Sequence, residues 1–174
     1  MTVDDHICRF ETALGVCGVR WNERGITNAL LPKERVLRDA SDADPDDTPE
    51  PIRRAIKAIV ELLEGEPSDL RSIALDERGV DEFQRRVYAA TREIEPGETA
   101  SYGEIARAIA APAAAREVGA ALGRNPYPII VPCHRVLAAD GTLHGFSAPG
   151  GITTKRRMLE IEGAPGFMQR ALFA

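Results

Sequence analysis

Residues 125–137, NPYPIIVPCHRVL, place a thiol, an imidazole and a guanidinium in succession after an apolar run broken by prolines. Pro126, Pro128 and Pro132 each fix their own φ and bias the preceding residue toward extended backbone. IIV then reads as a short buried strand, with Cys133 at the end of a rigid, buried segment. A buried thiol is ordinarily inert, because burial disfavours the thiolate. To react it needs a neighbour that takes its proton, and His134 is adjacent. The imidazole in turn needs a group to orient it, and Glu162 is a candidate carboxylate. Three other readings stand beside this one. Cys133 can be a packing residue, a metal ligand with His134 and His144, or the nucleophile of a cysteine hydrolase. The metal reading lacks the paired spacing of zinc sites, and hydrolase histidines lie far from their cysteine in sequence.

The elements that must hold this segment fall into two halves, in a chain of 174 residues that is 44% hydrophobic and therefore globular. Residues 7–31 read as a strand meander with turns at LG and NERG. The acidic run SDADPDDTPEP reads as a solvated loop. PIRRAIKAIVELLEG reads as a helix, with Pro51 at its start, Gly65 at its exit, and Ile52, Ile56, Ile59 and Leu63 on one face. RSIAL is a candidate last strand, and DERGV a candidate domain boundary. In the second half VDEFQRRVYAATREI is an amphipathic helix. SYGEIARAIA carries a capping box, Ser101 with Glu104. APAAAREVGAALGR is a further helix, with Ala114, Val118, Ala121 and Leu122 inward and Ala113, Arg116 and Ala120 outward. Two short helices joined by a turn suggest a helix-turn-helix. Arg116 is the one long outward probe on a thin face; the alternative is a surface arginine beside Glu117.

The net charge of −5 argues mildly against a nucleic-acid partner, but it is unevenly spread: −6 over residues 1–79 and +1 over residues 80–174. The second half can therefore approach a phosphate backbone without large repulsion, through few contacts. No apolar run approaches a membrane span, and no secretory pattern opens the chain. With three cysteines, Cys8, Cys17 and Cys133, reduced thiols in a cytoplasmic setting are expected.

PCHRV, together with FQRRVY, IEPGETASYGEIA, AREVGAALGRNPYPIIVPCHRV and KRRMLEIEG in the same order, resembles the O6-alkylguanine-DNA alkyltransferases, also called methylated-DNA–protein-cysteine methyltransferases. The resemblance covers residues 80–165 closely and the first half loosely. It implies an α/β N-terminal domain over residues 1–78, ribonuclease-H-like, with a small and mostly antiparallel sheet plus a helix. A mostly helical C-terminal domain over residues 79–174 would follow, carrying the helix-turn-helix. The implied activity is direct reversal of O6-alkylguanine, with O4-alkylthymine a further possible substrate. The base is flipped out of the duplex, because O6 is hidden in the stack. The alkyl group passes irreversibly to Cys133, once per molecule.

By the same resemblance His134 is the base, acting through a water, and Glu162 orients it. Tyr102 donates to guanine N3, and Asn125 braces the cysteine segment. Arg116 fills the gap left in the duplex. Ala115, Ala120, Tyr102, Arg124 and Arg135 are further DNA contacts, with the helix in the minor groove. The base pocket includes the Val136 and Cys133 carbonyls, Phe146 and the Ser147 N–H. The partner is double-stranded DNA, with no cofactor, no membrane and a monomeric protein. The loop HGFSAPGGITTK departs from the family pattern: His144 stands where glycine is frequent, Phe146 where tyrosine is, and about two residues are added, which bears on substrate size. Some members bind zinc in the first half; here only Cys8, Cys17 and His6 are available, so no structural metal is expected. Two rival functions remain: a non-repairing module that binds alkylated DNA and recruits other factors, and a methylation-responsive transcriptional regulator.

Overall fold

The computed structural model describes residues 5–143 and 150–168. Its first half is built on a meander, β1 (His6–Thr12), β2 (Gly15–Asn22) and β3 (Gly25–Leu30), paired antiparallel in that order. The two turns are those at LG and NERG, and Gly15 and Gly25 take positive φ there, as tight turns between paired strands require. The acidic run is not wholly loop. Ser41–Asp42 forms a short strand, β4, that joins β1 in parallel and completes a mixed four-stranded sheet of order β3-β2-β1-β4. Arg9 explains the departure: its Nε donates to Asp42 Oδ1 at 2.8 Å and its Nη1 to the Leu37 carbonyl at 3.3 Å, holding this stretch on the sheet edge. Cys8 and Cys17 lie on neighbouring strands, buried and unpaired, as core thiols.

Helix α1 (Glu50–Leu63) buries Ile52, Ala55, Ile59, Leu62 and Leu63, so three of the four apolar positions expected on one face are buried, while Ile56 is half-buried. RSIAL forms no strand. Only Leu75 makes a bridge, to Ile26, backed by Ile26 N–H to the Ala74 carbonyl at 2.9 Å.

Helix α2 (Glu82–Arg92) starts at a reciprocal capping box between Asp81 and Gln84, and β5 (Ala100–Ser101) leads into α3 (Tyr102–Ala108) through the box of Ser101 and Glu104. Helix α4 (Ala115–Gly123) packs on both α2 and α3. It begins three residues after Pro112. A single 3₁₀ turn, Cys133–Arg135, follows and runs into β6 (Val136–Leu137), parallel to β5. Helix α5 (Gly151–Ile161) closes over it.

One buried apolar cluster runs from Cys8 and Val19 through Ile59, Val87 and Val118 to Cys133 and Met158, so the two halves share a core. The junction around DERGV is tightly bonded. Asp76 accepts from Asn22 Nδ2 at 2.7 Å and from Arg78 Nη2 at 2.6 Å, and its carbonyl accepts from the Tyr127 hydroxyl at 2.6 Å. The Ala29 N–H of β3 donates to the Pro126 carbonyl at 3.0 Å, which ties the sheet edge to the segment that leads to Cys133.

Candidate active site

The apolar run before Cys133 is a turn, not a strand. The Val131 N–H donates to the Tyr127 carbonyl at 2.8 Å, and Ile129 adopts φ 75°. Prolines on either side explain this: Pro126, Pro128 and Pro132 have no N–H for a ladder, so the chain satisfies itself locally. A β-branched residue in left-handed backbone is strained and needs its surroundings to hold it. Here Asn125 braces the turn. Its Nδ2 donates to the Val131 carbonyl at 2.9 Å, and its Oδ1 accepts from the Tyr127 N–H at 2.9 Å.

Cys133 then opens the 3₁₀ turn with its thiol buried. Burial pushes the thiol pKa up. Against that work a hydrogen bond from the Asn125 side chain, the charge of Lys155, and the backbone N–H groups of Cys133 and His134. All four aids favour the thiolate, which is the reactive form.

His134 is 1% exposed, and its Nε2 lies 2.8 Å from Glu162 Oε1. An ionised carboxylate only accepts, so Nε2 carries the proton and Nδ1 the lone pair. Nδ1 is buried and has no hydrogen-bond partner among the described residues. Burial, with the charges of Arg135 and Lys155, lowers the imidazole pKa against the pull of Glu162. Burial alone would raise the Glu162 carboxyl, but His134 and Arg135 together bring it down to about 2. With His134 neutral, Arg135 is the lasting countercharge.

Arg135 requires a correction. It was expected among the DNA contacts, yet it is 5% exposed. Its Nε donates to Glu162 Oε2 at 2.9 Å, its Nη2 to Glu162 Oε1 at 2.7 Å, and its Nη1 to the Ile94 carbonyl at 2.6 Å. The turn directs this side chain inward, where a carboxylate and a carbonyl engage all three nitrogens.

Lys155 is a site residue that sequence reasoning missed. It is 1% exposed on α5, and its Nζ donates to the Val136 carbonyl at 2.6 Å and lies 5.9 Å from the centre of the Tyr102 ring. A signal was available: seven residues is two helical turns, so Lys155 and Glu162 share one face. The Val136 carbonyl, expected to receive the guanine amino group, thus already accepts from Lys155, and the Cys133 carbonyl accepts from the Val136 N–H. Each oxygen keeps a second lone pair.

Tyr102 is half-buried at the start of α3, and burial raises its phenol pKa, so it keeps its proton. A Cβ added at Gly119 of α4 would lie 3.8 Å from its ring. That is ordinary contact distance, so α4 lies directly beside Tyr102. On α4 Arg116 and Ala120 are exposed and Ala115 is half-buried, and Arg124 is exposed just beyond its end. His144, Phe146 and Ser147 lie outside the described residues. Among the described residues no group of three His, Cys, Asp or Glu side chains could hold a metal ion, and no helix is long and apolar enough to cross a membrane.

The family model for the DNA-binding domain of 6-O-methylguanine DNA methyltransferase matches residues 82–164, a stretch that contains each site residue just described. The site therefore sits within a domain of the DNA alkyltransferase class. A methylated-DNA–protein-cysteine methyltransferase of Methanothermobacter thermautotrophicus is 38% identical over 147 residues, 84% of this chain and 78% of the relative. One from Mycobacterium bovis is 50% identical over 117 residues, 66% of this chain and 68% of the relative. The crystal structure of Mycobacterium tuberculosis OGT in complex with DNA superposes with a TM-score of 0.72 at 38% identity, covering 93% of this chain and 96% of that one. The chain belongs to the methylated-DNA–protein-cysteine methyltransferase family.

Proposed function

We infer that this protein repairs alkylated DNA by direct reversal, taking the alkyl group from O6-alkylguanine onto Cys133. The observation that carries this reading is the line of groups behind the thiol: Cys133 beside Asn125 and Lys155, then His134 bonded to Glu162. A methyl carbon on oxygen is a weak electrophile, so the sulfur must attack as thiolate. The thiol proton passes through a water to Nδ1 of His134. The sulfur lone pair forms the new S–C bond as the C–O6 bond breaks, and the electron pair leaves with the guanine. A proton from the Tyr102 hydroxyl to N3 neutralises the departing base. The product is a thioether that no group here can reverse, so each molecule acts once.

Duplex DNA is the partner. The damaged base must leave the stack to reach a thiol this deep, and α3 and α4 act as a helix-turn-helix that enters the minor groove. The exposed Arg116 and Ala120 support this, with Arg124 meeting phosphate. The division at residues 78 and 79, a ribonuclease-H-like first domain and a monomeric state belong to the same reading.

The test is intact-mass measurement after incubation with a duplex containing one O6-methylguanine. The expected result is a single gain of one methylene, about 14 Da, on the Cys133 peptide, and none for Cys133→Ala, which still binds the duplex. Binding by the unaltered protein without that gain would move the non-repairing recognition module to first place.

A further inference from the structure

We propose that Arg135 is a positioning residue that keeps His134 an uncharged base, by gripping both carboxylate oxygens of Glu162. The proposal rests on the reading in which His134 accepts the thiol proton.

Glu162 caps the C-terminal end of α5, where the helix dipole disfavours negative charge, and its side chain is 3% exposed. A carboxylate so placed must be neutralised. Bonded to His134 alone, it would recruit a proton onto the imidazole and settle as an ion pair, because an adjacent opposite charge favours the charged form. An imidazolium has no lone pair and cannot accept the thiol proton.

Arg135 removes that outcome. Its guanidinium is permanently charged and shaped to hold a carboxylate through two parallel bonds. Nε reaches Oε2 at 2.9 Å and Nη2 reaches Oε1 at 2.7 Å, the oxygen that His134 also contacts. The Gly97 N–H adds a long contact of 3.5 Å to Oε2. The charge of Glu162 is thereby met before His134 takes a proton.

Among the described residues, the charged groups that act on the imidazole are Glu162 and Lys155 from α5 and Arg135 from its own turn. A protonated ring would add a third cation against one anion. Burial lowers the His134 pKa first, Glu162 raises it, and Arg135 and Lys155 lower it further, which agrees with the geometry. The anchor of Nη1 on the Ile94 carbonyl fixes the fork in place.

The experiment follows the His134 ring by ¹⁵N NMR in the full chain against pH, with His134→Gln for assignment. It is paired with the rate of Cys133 alkylation by free O6-benzylguanine. In the unaltered protein the ring is expected to remain neutral, protonated on Nε2, through the neutral range. Arg135→Gln is expected to make it imidazolium there. Its alkylation rate should fall roughly tenfold or more on the acid side and recover at higher pH, as for a base that must first lose a proton. Arg135→Lys keeps the charge and is expected to retain most of the neutral ring. An imidazolium in the unaltered protein at neutral pH overturns the proposal. So does an Arg135→Gln chain that loses rate equally at every pH with an unchanged ring titration, since that is mere structural damage. If Arg135→Gln does not fold, the titrations of the unaltered protein and Arg135→Lys decide. A neutral ring in a protein that never alkylates Cys133 would count against the functional reading, not against this one.

Discussion

Asn125 is where fold and chemistry meet, and replacing it separates the two. In Asn125→Ala the Tyr127 N–H and the Val131 carbonyl lose bonds of 2.9 Å each, and both residues are fully buried. An unpaired buried backbone group costs about 1–3 kcal/mol, so two cost about 2–4 kcal/mol once water partly compensates. At about 2–4 °C per kcal/mol for a chain of this size, Tm should fall by about 4–16 °C. The same substitution removes the hydrogen bond that favours the Cys133 thiolate. A bond to a charged group contributes about 1.5–3 kcal/mol, so alkylation at neutral pH should slow by about 10–150-fold. Asn125→Asp distinguishes the two roles. It retains an acceptor for Tyr127 but offers a negative charge to the thiolate, so it should melt closer to the unaltered protein and react more slowly than the alanine variant. Calorimetry and Cys133 labelling by O6-benzylguanine across the neutral range provide both readouts. An alanine variant that melts within a degree or so of the unaltered protein and reacts at the same rate would refute this account of Asn125.

Arg116→Ala should weaken repair of a duplex far more than reaction with free O6-benzylguanine, since Arg116 is exposed on α4 whereas the thiol is buried; equal losses would argue against a role in the duplex. Lys155→Met keeps the volume and removes the buried cation near Cys133 and Tyr102. Alkylation should slow at neutral pH and recover as pH rises, and a profile that only scales down would mean the charge is irrelevant. Glu162 is held at about 2 against an ordinary 4.5, so its contribution to stability is fully present above 4.5 and lost as pH falls toward 2. The amount is on the order of 3 kcal/mol. Thermal melts between neutral and acid pH should therefore fall more steeply for the unaltered protein than for Glu162→Gln, and parallel curves would remove Glu162 from the acid transition. Cys8 and Cys17 are both pushed up to about 11 by burial, so iodoacetamide should label neither in the native protein at neutral pH; rapid labelling would mean the sheet opens.

Much of this protein is local in origin and was readable from residue order. The meander follows from short apolar runs broken by turns, α1 and α2 from apolar spacing on one face, and α3 from polar residues that cap its first turn. Ser101 and Glu104 satisfy each other wherever the chain goes, because three residues is the reach of the motif. The chemistry of Cys133 with His134 was likewise legible, since the thiol and the imidazole are neighbours in the chain. The turn at residues 129–131 was misread as a strand because apolar content alone does not reveal that three prolines leave no ladder to join.

Tertiary structure decided the rest. In a 3₁₀ turn successive side chains point about 120° apart, so sequence alone cannot tell which of Cys133, His134 and Arg135 faces DNA and which faces the core. Arg135 turns inward because the Ile94 carbonyl, 41 residues away in sequence, and the Glu162 carboxylate, 27 away, converge on it. Lys155 becomes part of the site because α5 lays it against Val136. Residue types and local order thus determined that a thiol chemistry was available. Only the packing of α5 over the turn that carries Cys133 determined which charges surround it, because electrostatic partners are set by distance in space, not by distance along the chain.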